Sequence, residues 1–385
     1  GQYDAAIAAF KEAVRLAPNN PYYHEMLGKA YYWQGKPADG SPSTRLNDAI
    51  AEYQKALALE PKSAWMRSVL ASAYTEAGRQ EDALRELEEA VRLDPCDAEA
   101  LFLLASQYDI MGRKQEAEEA YRRLTQLNPS MALAWQYLAV AASERKDHAT
   151  AVEYFQAALR ADPNDPSLYY GLGNNLYLLG RYEEAEAAYR RFTELAPDDA
   201  DGFSAWGDAL GQLGRREEAI AAYKKALALN PKEYLTWMSL GLAHEFLQQW
   251  AEAEKAYYEA TQLKPTEALA HASRARMLQA LNRLEEAVGE YETAIRYAPD
   301  EPSYHVSLAL AYAALGKLDE ALAEAEATLK LDAENALAHL IIAAVSEDRG
   351  DKEKARAEYE LALKYAGENA GLKKLAEDGL KRVGP

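Results

Sequence analysis

The sequence predicts an all-α solenoid of stacked helix pairs, on three observations. Pro61, Pro95, Pro129, Pro163, Pro197, Pro231, Pro265 and Pro299 stand 34 residues apart. Ala49, Ala83, Ala117, Ala151, Ala185, Ala219, Ala253, Ala287, Ala321 and Ala355 keep the same step. Between these markers apolar residues recur at helical spacing twice per repeat. A fixed period of this length marks a chain whose repeats bury their apolar faces against their neighbours, not around one centre.

Residues 166–199 show what one repeat does. Tyr169, Leu172, Gly173 and Leu176 fall at i, i+3, i+4 and i+7, one stripe of a helix, here helix A. Pro166 suits its first turn, where a missing N–H costs nothing. Gly180 ends it, as glycine does just past a helix C-terminus. Tyr182, Ala185, Tyr189 and Phe192 form the stripe of helix B, and Pro197 closes the repeat because the residue before a proline avoids helical geometry. Two positions demand small side chains. The eighth reads Gly28, Ala71, Ala105, Ala139, Gly173, Gly207, Gly241, Ala275, Ala309 and Ala343, and the twentieth is always alanine. Anything larger would hold the helices beyond roughly 8–10 Å. Position 24 is large: Tyr53, Tyr121, Phe155, Tyr189, Tyr223, Tyr257, Tyr291 and Tyr359.

In chain order, residues 1–20 form the second half of a repeat. Gly1 stands at the turn position, and the missing helix A implies further sequence before it. Residues 21–367 hold ten repeats. The first of these carries nine extra residues, Lys36–Thr44 (KPADGSPST), whose Pro, Gly and Ser predict a surface loop at 36–44. Lys146 stands where glycine is usual, Arg274 where a buried leucine is usual, Ala325 where an aromatic is usual, and Ala333 in place of the proline. Local repacking is expected there, with the Arg274 stem buried and its head in water. Residues 368–385 form a capping helix, with Leu372, Leu375, Ala376 and Leu380 on its buried face.

The net charge of −19, from 62 acids against 43 bases, argues against nucleic-acid binding. No apolar run approaches the eighteen or so residues of a membrane span. The expectation is a soluble chain, with nothing to separate a cytoplasmic from a periplasmic home. Cys96 is the single cysteine and cannot form an internal disulfide. No glycine-rich phosphate loop follows a strand; GLGNNLYLLG (171–180) lies in a helix and its turn. Glu183/Glu184 and Glu217/Glu218 open helix B, where they favour the positive end of its dipole. The six histidines occupy positions 4 (His24, His271, His305, His339), 11 (His244) and 17 (His148), so packing explains them better than a metal would. No catalytic residue, cofactor or metal ligand is therefore expected.

Trp237, Leu240, Gly241, His244, Ala253, Tyr257 and Pro265 together resemble the W-x2-L-G-x2-Y, A-x3-F, P pattern of the tetratricopeptide repeat (TPR) family, and the resemblance covers nearly the whole chain. It implies a right-handed superhelical solenoid in which A helices line a concave groove through positions 2, 5, 6, 9, 12 and 13. Those positions hold the acids Glu25, Glu76, Glu99, Asp109, Glu144, Asp201, Asp208, Glu245, Glu347 and Asp348 against the bases Lys29 and Arg276. The same positions hold the rings of Tyr22, Tyr32, Trp33, Trp65, Phe102, Tyr137, Tyr170 and Tyr177, with Asn174 among them, and turn apolar at Val306, Leu310, Leu337, Leu340 and Ile341. The Lys/Asn/Arg clamp for chaperone tails and the asparagine ladder of the sugar-transferase arrays are both missing. The expectation is a non-enzymatic interaction scaffold for a basic or mixed apolar–basic peptide, since rings offer contact area and cation–π surface. Its rivals are a structural subunit docking through the C-terminal repeats and the recognition arm of a larger enzyme.

Overall fold

A computed structural model describes residues 2–384. Among the described residues there are twenty-two helices and no strand, the all-α repeat fold that the period predicts. Gly1, expected at a turn, lies outside the described residues. The chain gathers into two compact units, Gly1–Leu195 and Ala196–Pro385. The first holds α1 (Gln2–Leu16), α2 (Pro21–Gly35), α3 (Leu46–Leu59), α4 (Ala64–Glu76), α5 (Gln80–Leu93), α6 (Ala98–Ile110), α7 (Lys114–Leu127), α8 (Ala132–Glu144), α9 (His148–Ala161), α10 (Pro166–Leu178) and α11 (Tyr182–Leu195). The second holds α12 (Ala200–Gln212), α13 (Arg216–Leu229), α14 (Tyr234–Phe246), α15 (Trp250–Leu263), α16 (Ala268–Ala280), α17 (Leu284–Tyr297), α18 (Pro302–Ala314), α19 (Leu318–Leu331), α20 (Ala336–Asp348), α21 (Lys352–Tyr365) and α22 (Ala370–Val383).

Each repeat closes on a ring against a backbone. A Cβ on Gly28, Gly173, Gly207 or Gly241 would stand within 2.8 Å of ring carbons of Tyr53, Tyr189, Tyr223 or Tyr257. The small eighth position is thus the seat of the position-24 ring. The A–B turn is made by a residue in the left-handed region, Gly180 in the repeat above (φ 73°). The Gly180 amide donates to the Tyr177 carbonyl (2.9 Å) and the Arg181 amide to that of Leu176 (2.9 Å), satisfying two end carbonyls of α10. Lys146, Gln248 and Asn282 adopt the same φ without glycine's freedom, at a cost of about 1 kcal/mol each.

The B–A turn is tied by position 4. Trp135 Nε1 donates to the Pro129 carbonyl (3.0 Å), Tyr169 Oη to Pro163 (3.1 Å), Trp237 Nε1 to Pro231 (2.9 Å) and Arg67 Nη2 to Pro61 (2.9 Å). Histidines at this position do more than fill space, because they reach the same carbonyl.

In both units successive A helices touch, α4 with α6 and α8 with α10, then α12 with α14 and α18 with α20. Successive B helices make no comparable contact. The A side is therefore the closely set side of each unit.

Three expectations need correction. The Arg274 head is not in water: it is 16% exposed, Nε is 2.9 Å from Glu254 Oε1, Nη1 is 2.5 Å from Glu290 Oε1, and the guanidinium lies over the Tyr258 ring. Two carboxylates supply in the interior what solvent would have supplied. Leu375 is 58% exposed, because Gly379 lies against the Tyr359 ring and rotates α22 so that Ala376, Gly379 and Val383 face inward. The loop at 36–44 is not wholly on the surface. Ser43 is buried, its hydroxyl donates to the Tyr32 carbonyl (2.8 Å) and its amide to Glu76 Oε1 (2.9 Å), so the far end of the loop is sewn to α2 and α4.

Candidate partner-binding faces

The A helices of the first unit bring four of the expected residues together. Phe102 and Asp109 from α6 and Tyr137 and Glu144 from α8 line one open pocket of about 520 Å³. Its floor is aromatic: Phe102 meets the Tyr121 ring edge-on at 6.2 Å between centroids, and Tyr121 lies 4.1 Å from Tyr137. Leu133 and Val140 form an apolar wall, both strongly exposed. Asp109 accepts from Tyr137 Oη (3.0 Å), and burial together with this carboxylate pushes the Tyr137 hydroxyl up from its ordinary range.

The rim holds charges that the groove positions did not include. Lys114 opens α7 and its Nζ is 2.6 Å from Glu144 Oε2; Arg145 follows α8 and its Nη1 is 2.5 Å from Glu118 Oε2. Asp109, Glu118 and Glu144 thus face two bases, which leaves the pocket only mildly negative. Both bases stand at positions 14 and 17 of the repeat, outside the set that the resemblance supplied.

The other expected residues of the first unit lie elsewhere along its A helices. Tyr22, Trp33 and Trp65 are about half exposed, and Lys29 Nζ sits 5.5 Å above the Trp65 ring. Glu25 is almost fully buried, and burial raises its carboxyl above the ordinary range. Glu76 is consumed internally: it accepts from Tyr32 Oη (2.6 Å), Lys36 Nζ (2.7 Å) and the Ser43 amide. Burial pushes its carboxyl up, but these three donors outweigh burial and hold it below the ordinary value. Tyr170 packs on Phe192 (5.1 Å) and Tyr177 on Tyr182 (5.3 Å). Glu99 is exposed.

A rule emerges at position 24 that the one-letter pattern does not announce. In six repeats its hydroxyl reaches across to the polar residue at position 9 or 12 of its own helix A. Tyr121 pairs with Ser106 (3.1 Å); Tyr189 donates to Asn174 (2.7 Å), Tyr223 to Asp208 (2.8 Å), Tyr257 to Glu245 (2.9 Å), Tyr291 to Gln279 (3.3 Å) and Tyr359 to Glu347 (2.6 Å). Phe155, over Val140 and Ser143, and Ala325, over Leu310 and Ala313, have no hydroxyl to give. Most acids expected to face a partner in the second unit are therefore latched. Asp208 is largely buried, which raises its carboxyl, and it also accepts from Ser239 Oγ (3.3 Å). Glu245 also binds Arg276 (2.8 Å), and Glu347 binds Arg382 (2.8 Å). Asp201 is exposed.

The second unit has a different pocket, of about 440 Å³. Leu310 of α18, Leu337, Leu340, Ile341 and Val345 of α20 and Leu375 of α22 line it, with Asp348 and Arg382 at its edge. Among the described residues no three of His, Cys, Asp and Glu converge as a metal site would require, and no helix is long and apolar enough to cross a membrane.

Tetratricopeptide-repeat profiles match residues 43–106 and 142–205, then 108–166, 204–268 and 307–370; a TPR repeat profile matches 1–35 and 275–316. The chain belongs to the tetratricopeptide repeat family. Solved TPR structures share its fold. The C-terminal part of a TPR repeat-containing protein from Cytophaga hutchinsonii is 18% identical, aligned over 64% of this chain and 99% of that one, with a TM-score of 0.55. MamA is 23% identical over 42% of this chain and 95% of its own, with a TM-score of 0.41. YrrB, reported as a TPR protein with an unusual peptide-binding site, is 22% identical over 48% and 95%, with a TM-score of 0.44. No curated protein matches the chain. Membership in the TPR family supports a protein-interaction scaffold, the general occupation of these arrays.

Proposed function

We propose that the first unit holds a partner peptide of mixed apolar and basic character against α6 and α8, without catalysis of its own. The single observation that supports this reading is the pocket in which Phe102, Tyr121 and Tyr137 floor a space walled by Leu133 and Val140 and rimmed by Asp109 and Glu144. Three rings and two exposed aliphatics offer apolar contact that water otherwise covers at a cost. The carboxylates above them suit a lysine or arginine whose stem lies on the rings. Lys114 and Arg145 are exposed and flexible at the rim, so a partner cation can replace them at Glu144 and Glu118 with little penalty.

Selection of a displayed peptide library on the full chain tests the proposal. Enriched peptides should place lysine or arginine beside leucine or phenylalanine. For a selected peptide, Asp109→Asn with Glu144→Gln should weaken binding about tenfold, and raised salt should weaken it further. Val140→Ser should weaken it independently of salt. Enrichment of acidic peptides, or selected peptides whose affinity ignores all three substitutions, would reject this face. The second reading, docking through the C-terminal repeats, rests on the apolar pocket between α18, α20 and α22.

A further inference from the structure

Three consecutive B–A turns of the second unit are tied by histidine, each ring held between two acceptors. His271 places Nδ1 2.6 Å from Glu290 Oε2 and Nε2 3.0 Å from the Pro265 carbonyl. His305 places the same atoms 2.7 Å from Glu324 and 2.9 Å from the Pro299 carbonyl. His339 places them 2.6 Å from Glu358 and 3.2 Å from the carbonyl of Ala333, the residue that replaces the usual proline. A carbonyl oxygen only accepts, and so does an ionised carboxylate. A neutral imidazole has one N–H and satisfies one of the two; an imidazolium satisfies both. Trp237, at the same position of the second unit, has one indole N–H, and that proton does not titrate.

We propose that His271, His305 and His339 form a pH-responsive turn lock, closed while the rings are imidazolium and their glutamates carboxylate. Loss of a ring proton breaks one of the two bonds at each turn and frees the first turn of α16, α18 and α20. The charged surroundings agree. Glu290 meets His271 from α17, where the Tyr297 ring also stacks on it, and Arg274 of its own helix shares Glu290 and reaches Glu254 of α15. Glu324 of α19 is the charged group against His305. Glu358 of α21 faces His339, with Tyr365 stacked on the ring and Lys364 over the far side of that tyrosine. The lock is complete where each glutamate is ionised while its ring keeps the second proton; at His271 the hydrogen bond to Glu290 raises the ring above its ordinary range and carries the locked state to higher pH. The walls of the apolar pocket, α18 and α20, begin at two of the three locked turns, so the lock sets the stiffness of that face.

Hydrogen exchange on the full chain at about pH 5.5 and about pH 8, corrected for intrinsic rates, tests the proposal on either side of the imidazole range. Protection in the first turns of α16, α18 and α20 should fall about tenfold at the higher pH, the loss of one hydrogen bond at each turn. The first turn of α14, tied by Trp237, should stay level. Replacing all three histidines by tryptophan should abolish the response. Should that variant fail to fold, Glu290→Gln/Glu324→Gln/Glu358→Gln serves instead, and its response should shrink. An equal change at α14, an undiminished response in the glutamine variant, or imidazole nitrogen spectra showing an unprotonated ring nitrogen at about pH 5.5 overturns the lock.

Discussion

The pockets of the two units are built on the same repeat and differ in what surrounds them. In the first, acids and bases stand exposed around a floor of rings. In the second, the wall is leucine and isoleucine; Arg274 is drawn inward to Glu254 and Glu290, while the half-exposed Arg382 pairs with Glu347 at the edge. Both pockets include a repeat where the position-24 hydroxyl is missing, Phe155 in one and Ala325 in the other. In six repeats the tyrosine hydroxyl engages the polar residue above it, and that residue is less available to a partner. The lesson is that a polar residue on the face of helix A is a ligand candidate only when the ring beneath it leaves it alone.

The contrast in charge predicts the largest effect. Arg274→Ala takes the shared guanidinium from Glu254 and Glu290, only 12% and 18% exposed, leaving Arg283 at 3.8 Å from the first and His271 beside the second. Breaking such a buried pair costs about 3–5 kcal/mol, read as a fall in the urea midpoint of the second unit. A loss under about 1 kcal/mol would place those charges with the exposed pairs of the first unit.

Smaller by about half is the effect of filling the seat of a ring. A Cβ at Gly379 would stand 2.3 Å from Tyr359 Cζ. Gly379→Leu should overpack this contact, lift α22, take Leu375 and Arg382 from the edge of the apolar pocket, and cost about 1–3 kcal/mol. Melting monitored in the second unit checks it. An unchanged melt would mean that α22 does not shape this face.

Breaking a latch is milder again. Tyr223→Phe removes the stronger donor from Asp208 and leaves it buried with Ser239 alone, at about 1–2 kcal/mol. The Asp208 carboxyl is already raised by burial, and losing a donor to its charged form raises it further. A group whose folded pKa is raised above its unfolded value keeps its stabilisation at low pH and loses it as the pH rises, so the variant should be hurt more at neutral than at acid pH.

How far the sequence could be read follows from what repeats. The period, the small eighth and twentieth positions, the glycine turns and the apolar stripes recur in register, so the helix pairs and their order were legible. The rings and acids on helix A were legible as positions. Their engagements were not, because each depends on a residue elsewhere in the fold: Tyr137 with Asp109 lies 28 residues away, Tyr32 with Glu76 lies 44 away. Nor was the role of position 4, because an aromatic that fills space and a histidine that ties a carbonyl share one slot in the pattern. A signal was present in the six repeats where a position-24 tyrosine stands with Ser, Asn, Asp, Glu or Gln at position 9 or 12, which can be found by comparing repeats of this chain with one another.

Arg145 gives the smallest effect on stability and the sharpest test of the first face. Arg145 is half exposed and Glu118 keeps Arg122, so Arg145→Ala should move the unfolding midpoint by no more than about 0.5 kcal/mol. It should nevertheless tighten a selected basic peptide, because Glu118 Oε2 is then open to the peptide's cation while Arg122 holds Oε1. The same substitution should weaken an acidic peptide. If affinity for the basic peptide falls instead, Arg145 itself contacts the partner, and the rim works through its bases rather than its acids.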